Sequence, residues 1–244
     1  MSRLSGKTAV ITGGGSGIGL GAARRFVEEG AFVYIFGRRQ AALDAALAEL
    51  GPNARAVRGS VTEAADLDRL YEAVKAERGG LDIVFANAGT GVVAPLGEIS
   101  SEQYDQTFDV NVKGLIFTVQ KALPLMSAGG SIILTGSTTG VMGTGQFSIY
   151  SASKAAVRNL ARSWAVDLQG TGIRVNVLSP GPTLTDLALE VVGEEAFHAL
   201  GAATPIGRLG DPAETGAVAA FLASADASFM TGGEVFVDGG LAQV

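Results

Sequence analysis

The chain has 244 residues, 35 of them Gly and 7 Pro with no G-X-Y period, and is 47% hydrophobic and 17% charged, which excludes collagen and a disordered chain. Its net charge of −6 offers no basic surface to a nucleic-acid backbone, so no nucleic-acid partner is expected. Zero Cys excludes a disulfide framework, a thiolate metal site and a cysteine nucleophile, and no metal is expected.

In chain order, residues 7–12 (KTAVIT) form a short β-branched run ending in glycines, and residues 16–29 follow with Ile18, Ala22, Phe26 and Val27 at helical spacing. The alternation then recurs. Residues 32–36 (FVYIF) precede an Ala- and Leu-rich helix at 40–50, residues 54–58 precede a helix at 63–77, and residues 81–86 (LDIVFA) precede a long helix at 101–126. Residues 131–135 (SIILT), 173–178 (IRVNVL) and 234–237 complete seven strands, with helices at 151–168 and 212–223. The strands are apolar on both faces, as parallel strands are when helices cover them above and below. The expected fold is therefore α/β, a three-layer doubly wound Rossmann fold on a seven-stranded parallel sheet. One catalytic domain spans residues 1–244, with any ligand outside the carboxyl ends of the strands. No apolar run approaches the roughly 18 residues of a membrane span, and the first seven residues lack a signal peptide's apolar stretch. A cytoplasmic protein with no membrane partner is expected.

Thr12 to Gly19 reads TGGGSGIG, between the first strand and the first helix. There Gly13 allows the turn, Gly17 lets the backbone approach a pyrophosphate and Gly19 permits close helix-to-sheet packing, while the helix N-terminus supplies unpaired N–H groups. No Lys-Ser or Lys-Thr pair closes a Walker motif. Further motifs follow the later strands: Asn87-Ala88-Gly89 after the fourth, Ser137 after the fifth and Pro180-Gly181 after the sixth. Asn111 falls in the fourth helix, and Tyr150 and Lys154 form Y-x-x-x-K. With T-G-x-x-x-G-x-G ahead of this ordered series, the chain resembles the short-chain dehydrogenase/reductase family over nearly its whole length. The resemblance implies a nicotinamide cofactor held by Gly13, Gly15, Ser16, Gly17, Ile18 and Gly19. It also places Asn87, Ala88 and Gly89 against the adenosine ribose, and Pro180, Gly181 and Thr183 at the nicotinamide amide.

An NAD site usually carries an acid at the end of the second strand, to accept bonds from the ribose hydroxyls. Here that strand ends Phe36-Gly37-Arg38-Arg39. No carboxylate stands there to repel a 2′-phosphate, and Arg38 and Arg39 offer guanidinium forks suited to one, so NADP(H) is the expected cofactor. After the third strand the family often has an Asp for the adenine amino group, whereas this sequence has Ser60-Val61. Ser60 offers a hydroxyl to the cofactor or caps the next helix.

Reduction of a carbonyl needs a proton donor for the oxygen that becomes an alkoxide, and Tyr150 is the candidate acid/base. Its ordinary pKa of about 10 needs a nearby cation to lower it, and Lys154 stands one helical turn away on the same face. By family resemblance Ser137 donates to the substrate oxygen and to the tyrosine. Asn111, through its side chain or a local helix distortion, is expected to hold a water linked to Lys154.

The substrate loop is expected at about residues 184–208, with Thr138, Gln146, Phe147, Leu184 and Leu187 in the pocket. Neither that segment's leucines nor the loop TTGVMGTGQFSI carries a charge, which points to a small, neutral, fairly hydrophobic ketone, aldehyde or alcohol. Gly143, Gly145, Gly193 and Gly201 are expected in loops bordering it. The alternatives are a 3-oxoacyl carrier-protein reductase, a sugar or hydroxysteroid dehydrogenase and, from another class, a catalytically silent nucleotide-binding protein. The resemblance implies a homotetramer, with helices 101–126 and 151–168 supplying apolar faces.

Overall fold

A computed structural model describes residues 2–244. Seven strands, β1 (Thr8–Thr12), β2 (Phe32–Gly37), β3 (Ala54–Arg58), β4 (Leu81–Ala86), β5 (Met126–Thr135), β6 (Arg174–Pro180) and β7 (Glu234–Val237), form one parallel sheet in the order β3-β2-β1-β4-β5-β6-β7. The order reverses between β1 and β4, so the crevice for a ligand opens at their carboxyl ends.

Strand period explains the continuous apolar runs. In β1, Ala9 and Ile11 pack into one core with Ala22 and Phe26 of α1 (Gly17–Glu28) and Leu43 of α2 (Gln40–Leu50). Val10, one residue between them, points to the opposite core with Leu67 and Leu70 of α3 (Ala64–Arg78) and Val157 of α6 (Ser148–Asp167). The inner strands β1, β2, β4 and β6 are thus buried on both sides, whereas the edge strand β3 exposes Arg55 and Arg58.

Several expectations need correction. The helix predicted over residues 101–126 is broken into α4 (Ser101–Phe108), a π-helical turn at Asp109–Gly114, and α5 (Leu115–Ala122), followed by a 3-10 turn at Leu123–Leu125. Pro124 disfavours helix at the residue before it, and the chain turns extended at Met126, so β5 begins five residues earlier than expected. The helix expected from residue 151 starts at Ser148. The substrate segment, read as a loop, holds α7 (Asp186–Val192) and α8 (Glu194–Ala202). Gly201 accordingly lies inside α8, where a Cβ would meet Leu209 at 2.7 Å. A last helix, α9 (Pro212–Ala223), begins with an Asp211–Glu214 capping box and packs on α1 through Gly21 and Gly216. A Cβ on either of these glycines would stand 2.6 Å from backbone of the other helix.

Candidate active site

In the turn after β1, Gly13, Gly17 and Gly19 are required by backbone conformation or space, whereas Gly15 is not. Gly13 and Gly17 have φ of +68° and +51°, and a Cβ on Gly19 would stand 2.2 Å from the Gly13 carbonyl oxygen. Ser16 occupies the N-cap of α1, yet its side chain caps no N–H; its hydroxyl instead accepts from Nη2 of Arg39 at 3.0 Å. The first-turn N–H groups of α1 therefore remain available to an anion, with Arg39 beside them. Gly15 meets Leu43 at an ordinary 3.4 Å, and Ile18 packs against the core.

At the end of β4, Asn87 serves the sheet. Its Nδ2 donates to the Thr12 carbonyl at 3.0 Å, and its backbone N–H and that of Ala88 both donate to the Thr12 hydroxyl. Gly89 faces Asn111 and Lys154, since a Cβ there would lie 3.4 Å from Asn111 Oδ1 and 3.7 Å from Lys154 Nζ. Gly181, at the end of β6, is required by the C-terminal chain, because a Cβ would stand 2.6 Å from Asp238 Cα. Thr183 spends its hydroxyl on the Gly181 carbonyl. Ser60 shares its hydroxyl with Thr62 and caps no helix, while Val61 presses against Gly114 in the π turn.

Tyr150 and Lys154 project from α6 toward the carboxyl edge of the sheet. Lys154 is 4% exposed; its Nζ donates to the Thr135 carbonyl at 2.8 Å and lies 5.6 Å from the Tyr150 ring centre. Burial lowers the Lys154 ammonium to about 8. Burial also raises the Tyr150 phenol, and the Ser137 hydroxyl opposes that shift. In the chain by itself, then, Ser137 rather than Lys154 is the group that pulls the phenol down. Asn111 is buried and makes three hydrogen bonds: Oδ1 accepts from Thr90 N–H at 2.8 Å, and Nδ2 donates to the Thr90 carbonyl at 2.9 Å and to Ser153 Oγ at 3.0 Å. Its side chain thus holds the chain after β4, with Oδ1 and Lys154 Nζ both beside Gly89, and Asn111 itself lies in the π turn.

A family model described as enoyl-(acyl carrier protein) reductase matches residues 13–242. The chain is 65% identical over 246 residues to the oxidoreductase asL5 of Sarocladium schorii, covering 100% of this chain and 99% of that protein. It belongs to the short-chain dehydrogenase/reductase family. The galactitol 2-dehydrogenase of Agrobacterium fabrum is 38% identical, with 98% of each chain covered. The crystal structure of levodione reductase superposes with a TM-score of 0.94 at 30% identity, over 98% of this chain and 99% of that one.

Short-chain dehydrogenase/reductases use nicotinamide cofactors, and this chain's glycine turn and uncapped helix fit one. On the substrate side of this family member, the Phe147 ring meets Tyr150 edge-on at 6.2 Å, and Leu184 and Leu187 are 45% and 46% exposed. Thr138 is buried. Gln146 is the one non-glycine with positive φ among the described residues, at +66°, and its carbonyl accepts from Ala94 N–H. Three contributors escaped the sequence reading. Ser153 donates to the Tyr150 carbonyl at 2.7 Å while accepting from Asn111. Thr185 caps α7 and sets its methyl where a Cβ on Gly17 would stand 2.9 Å away, so the substrate segment touches the cofactor turn. Gly91 lies beside Tyr150 and Val191. Only Thr185 carries a local signal, a Thr before Asp at the start of an apolar helical pattern.

A buried ammonium costs stability. With a folded pKa near 8 against 10.5 unfolded, the penalty is full below pH 8 and fades as pH rises toward 10.5, about 3 kcal/mol in all. Lys154→Met removes it and loses the Thr135 bond, for a net gain of about 1 to 2 kcal/mol. Cofactor-free Lys154→Met is expected to melt above the parent at pH 7, with the gap closing between pH 8 and 10.5. A gap that stays constant across that range refutes the buried charge as its cause.

Proposed function

We propose that the chain is an NADP(H)-dependent oxidoreductase that interconverts small, neutral, fairly hydrophobic ketones or aldehydes and the corresponding alcohols. The observation that carries this reading is the cluster at one end of the sheet in which half-buried Tyr150 stands with buried Ser137, Lys154 and Asn111. The bound cofactor supplies the hydride. Tyr150 gives the proton to the carbonyl oxygen in reduction and removes it in oxidation, and Ser137 donates to the same oxygen. Lys154 would donate to the nicotinamide ribose of a bound cofactor, and its charge would favour the phenolate. Asn111 positions this set through Thr90 and Ser153. The Phe147 ring edge and the half-exposed Leu184 and Leu187 favour apolar substituents on the substrate.

The cofactor choice rests on Gly37. A Cβ there would meet only Leu43, at 3.7 Å, so packing does not demand the glycine; what it omits is a side chain beside the ribose. Arg38 and Arg39 follow on the exposed end of the sheet. Arg38→Asp is expected to shift the ratio of kcat/KM values from NADPH toward NADH by at least about tenfold, and an unchanged ratio overturns the assignment. A panel of neutral aryl and alkyl ketones, acidic keto compounds, acyl thioesters, galactitol and sorbitol tests the substrate class, which falls if a charged or polyol substrate wins. We also place the chain in the cytoplasm, where the absence of Cys is unremarkable, and as a homotetramer. Exposed Tyr104, Phe117 and Val166 on α4, α5 and α6 support that assembly.

A further inference from the structure

Six of the thirteen arginines are held in ion pairs, and among the described residues Arg78, Arg158, Arg162 and Arg174 are in none. Arg3, Arg24, Arg25, Arg55, Arg69 and Arg208 each form an ion pair. Among the described residues, Arg38, Arg39 and Arg58 form none, and all three are exposed at the same corner of the sheet. The parallel register of β2 and β3 sets Arg58 directly beside Gly37. From there its Nε donates to the Arg38 carbonyl at 3.2 Å, which ties the end of β3 to the end of β2. No protein acceptor engages its Nη groups among the described residues.

The acid nearest to this corner does not neutralise it. Asp66 accepts from Ser60 N–H at 2.8 Å through one oxygen and pairs with Arg69 at 2.7 Å through the other. Arg69 in turn donates to the Arg58 carbonyl at 3.2 Å, so the loop carrying Arg58 is fastened while its own guanidinium stays unpaired. Gly59 lets that loop close, since a Cβ would stand 2.7 Å from the Phe36 ring, and its N–H donates to the Gly37 carbonyl. A strand end braced from both sides, presenting an unpaired guanidinium beside a position with no side chain, matches a doubly charged oxyanion.

We infer that Arg58 is a further specificity-determining residue, one that joins Arg38 in holding the ribose 2′-phosphate of NADP(H). The inference rests on the NADP(H) reading above. Its test uses fragments that carry only the adenosine end: 2′,5′-ADP, which has the 2′-phosphate, and 5′-AMP, which lacks it. Calorimetric affinities are measured for the parent, Arg58→Gln and Arg38→Gln. The parent is expected to prefer 2′,5′-ADP, with an affinity that falls as salt rises. Arg58→Gln should weaken 2′,5′-ADP about tenfold, leave 5′-AMP unchanged and keep the parent's melting temperature. If the parent prefers 2′,5′-ADP, and Arg38→Gln removes that preference while Arg58→Gln does not, the role of Arg58 is overturned and the NADP(H) reading stands. Equal weakening of both fragments by Arg58→Gln also overturns it, because Arg58 then supports the site generally. A parent that does not distinguish the fragments overturns the NADP(H) reading itself.

Discussion

Tyr150→Phe is expected to lower kcat by about 10²- to 10⁴-fold while leaving the dissociation constant of the cofactor within about twofold of the parent. The substitution removes one oxygen and keeps the ring, so the edge-on contact with Phe147 and the packing over Lys154 survive. In the cofactor-free chain burial keeps the phenol above its ordinary range, so it is protonated at neutral pH, and the Lys154 charge beside a bound cofactor would oppose that burial. Reduction should therefore be flat through neutrality, while oxidation, which needs the phenolate, should climb as pH rises. Stopped-flow turnover in both directions, with cofactor affinity measured by fluorescence titration, checks both statements. Turnover within tenfold of the parent would remove Tyr150 from the acid role.

Gly19→Ala is expected to have the second large effect, through space alone. Its Cβ would lie 2.2 Å from the Gly13 carbonyl oxygen and 2.7 Å from Asn87 Nδ2. Neither neighbour can yield easily, since one is backbone of the turn and the other donates to the Thr12 carbonyl. Overpacking of this kind costs about 1 to 3 kcal/mol or more, and relief requires the turn to open, which dismantles the anion site. The expected result is a melting temperature lowered by several degrees and cofactor affinity weakened by at least about a hundredfold. Gly15→Ala is the control, because its Cβ meets Leu43 at 3.4 Å and fits without displacement. Equal melting temperatures for the two variants would refute the steric argument.

The fold was legible because burial on both faces of the inner strands leaves a continuous apolar run, as in residues 9–11 and 33–36, and because helical spacing follows the runs. The proposed catalytic cluster could be picked out because Tyr150 and Lys154 are one turn apart in the chain, and Ser137 follows directly on a strand. What escaped depends on contacts between distant segments. The π turn forms where Asn111 reaches Thr90, 21 residues away, and no local pattern in residues 101–126 encodes that pairing. Gly21 and Gly216 look like weak points of helices until α1 and α9 are seen to cross there. Arg58 reads as an ordinary exposed strand end until the sheet register sets it beside Gly37. Much of the glycine excess thus has two uses, the cofactor turn and close contacts between packed elements.

The most direct test follows an isotope. The parent protein is incubated with NADPH carrying deuterium at the transferable position of the nicotinamide and with a neutral aryl ketone, and the alcohol is analysed by mass spectrometry. One deuterium at the carbinol carbon, formed by the parent and not by Tyr150→Phe, is the predicted result. Cofactor that binds without being consumed by any member of the ketone, aldehyde and alcohol panel would contradict it.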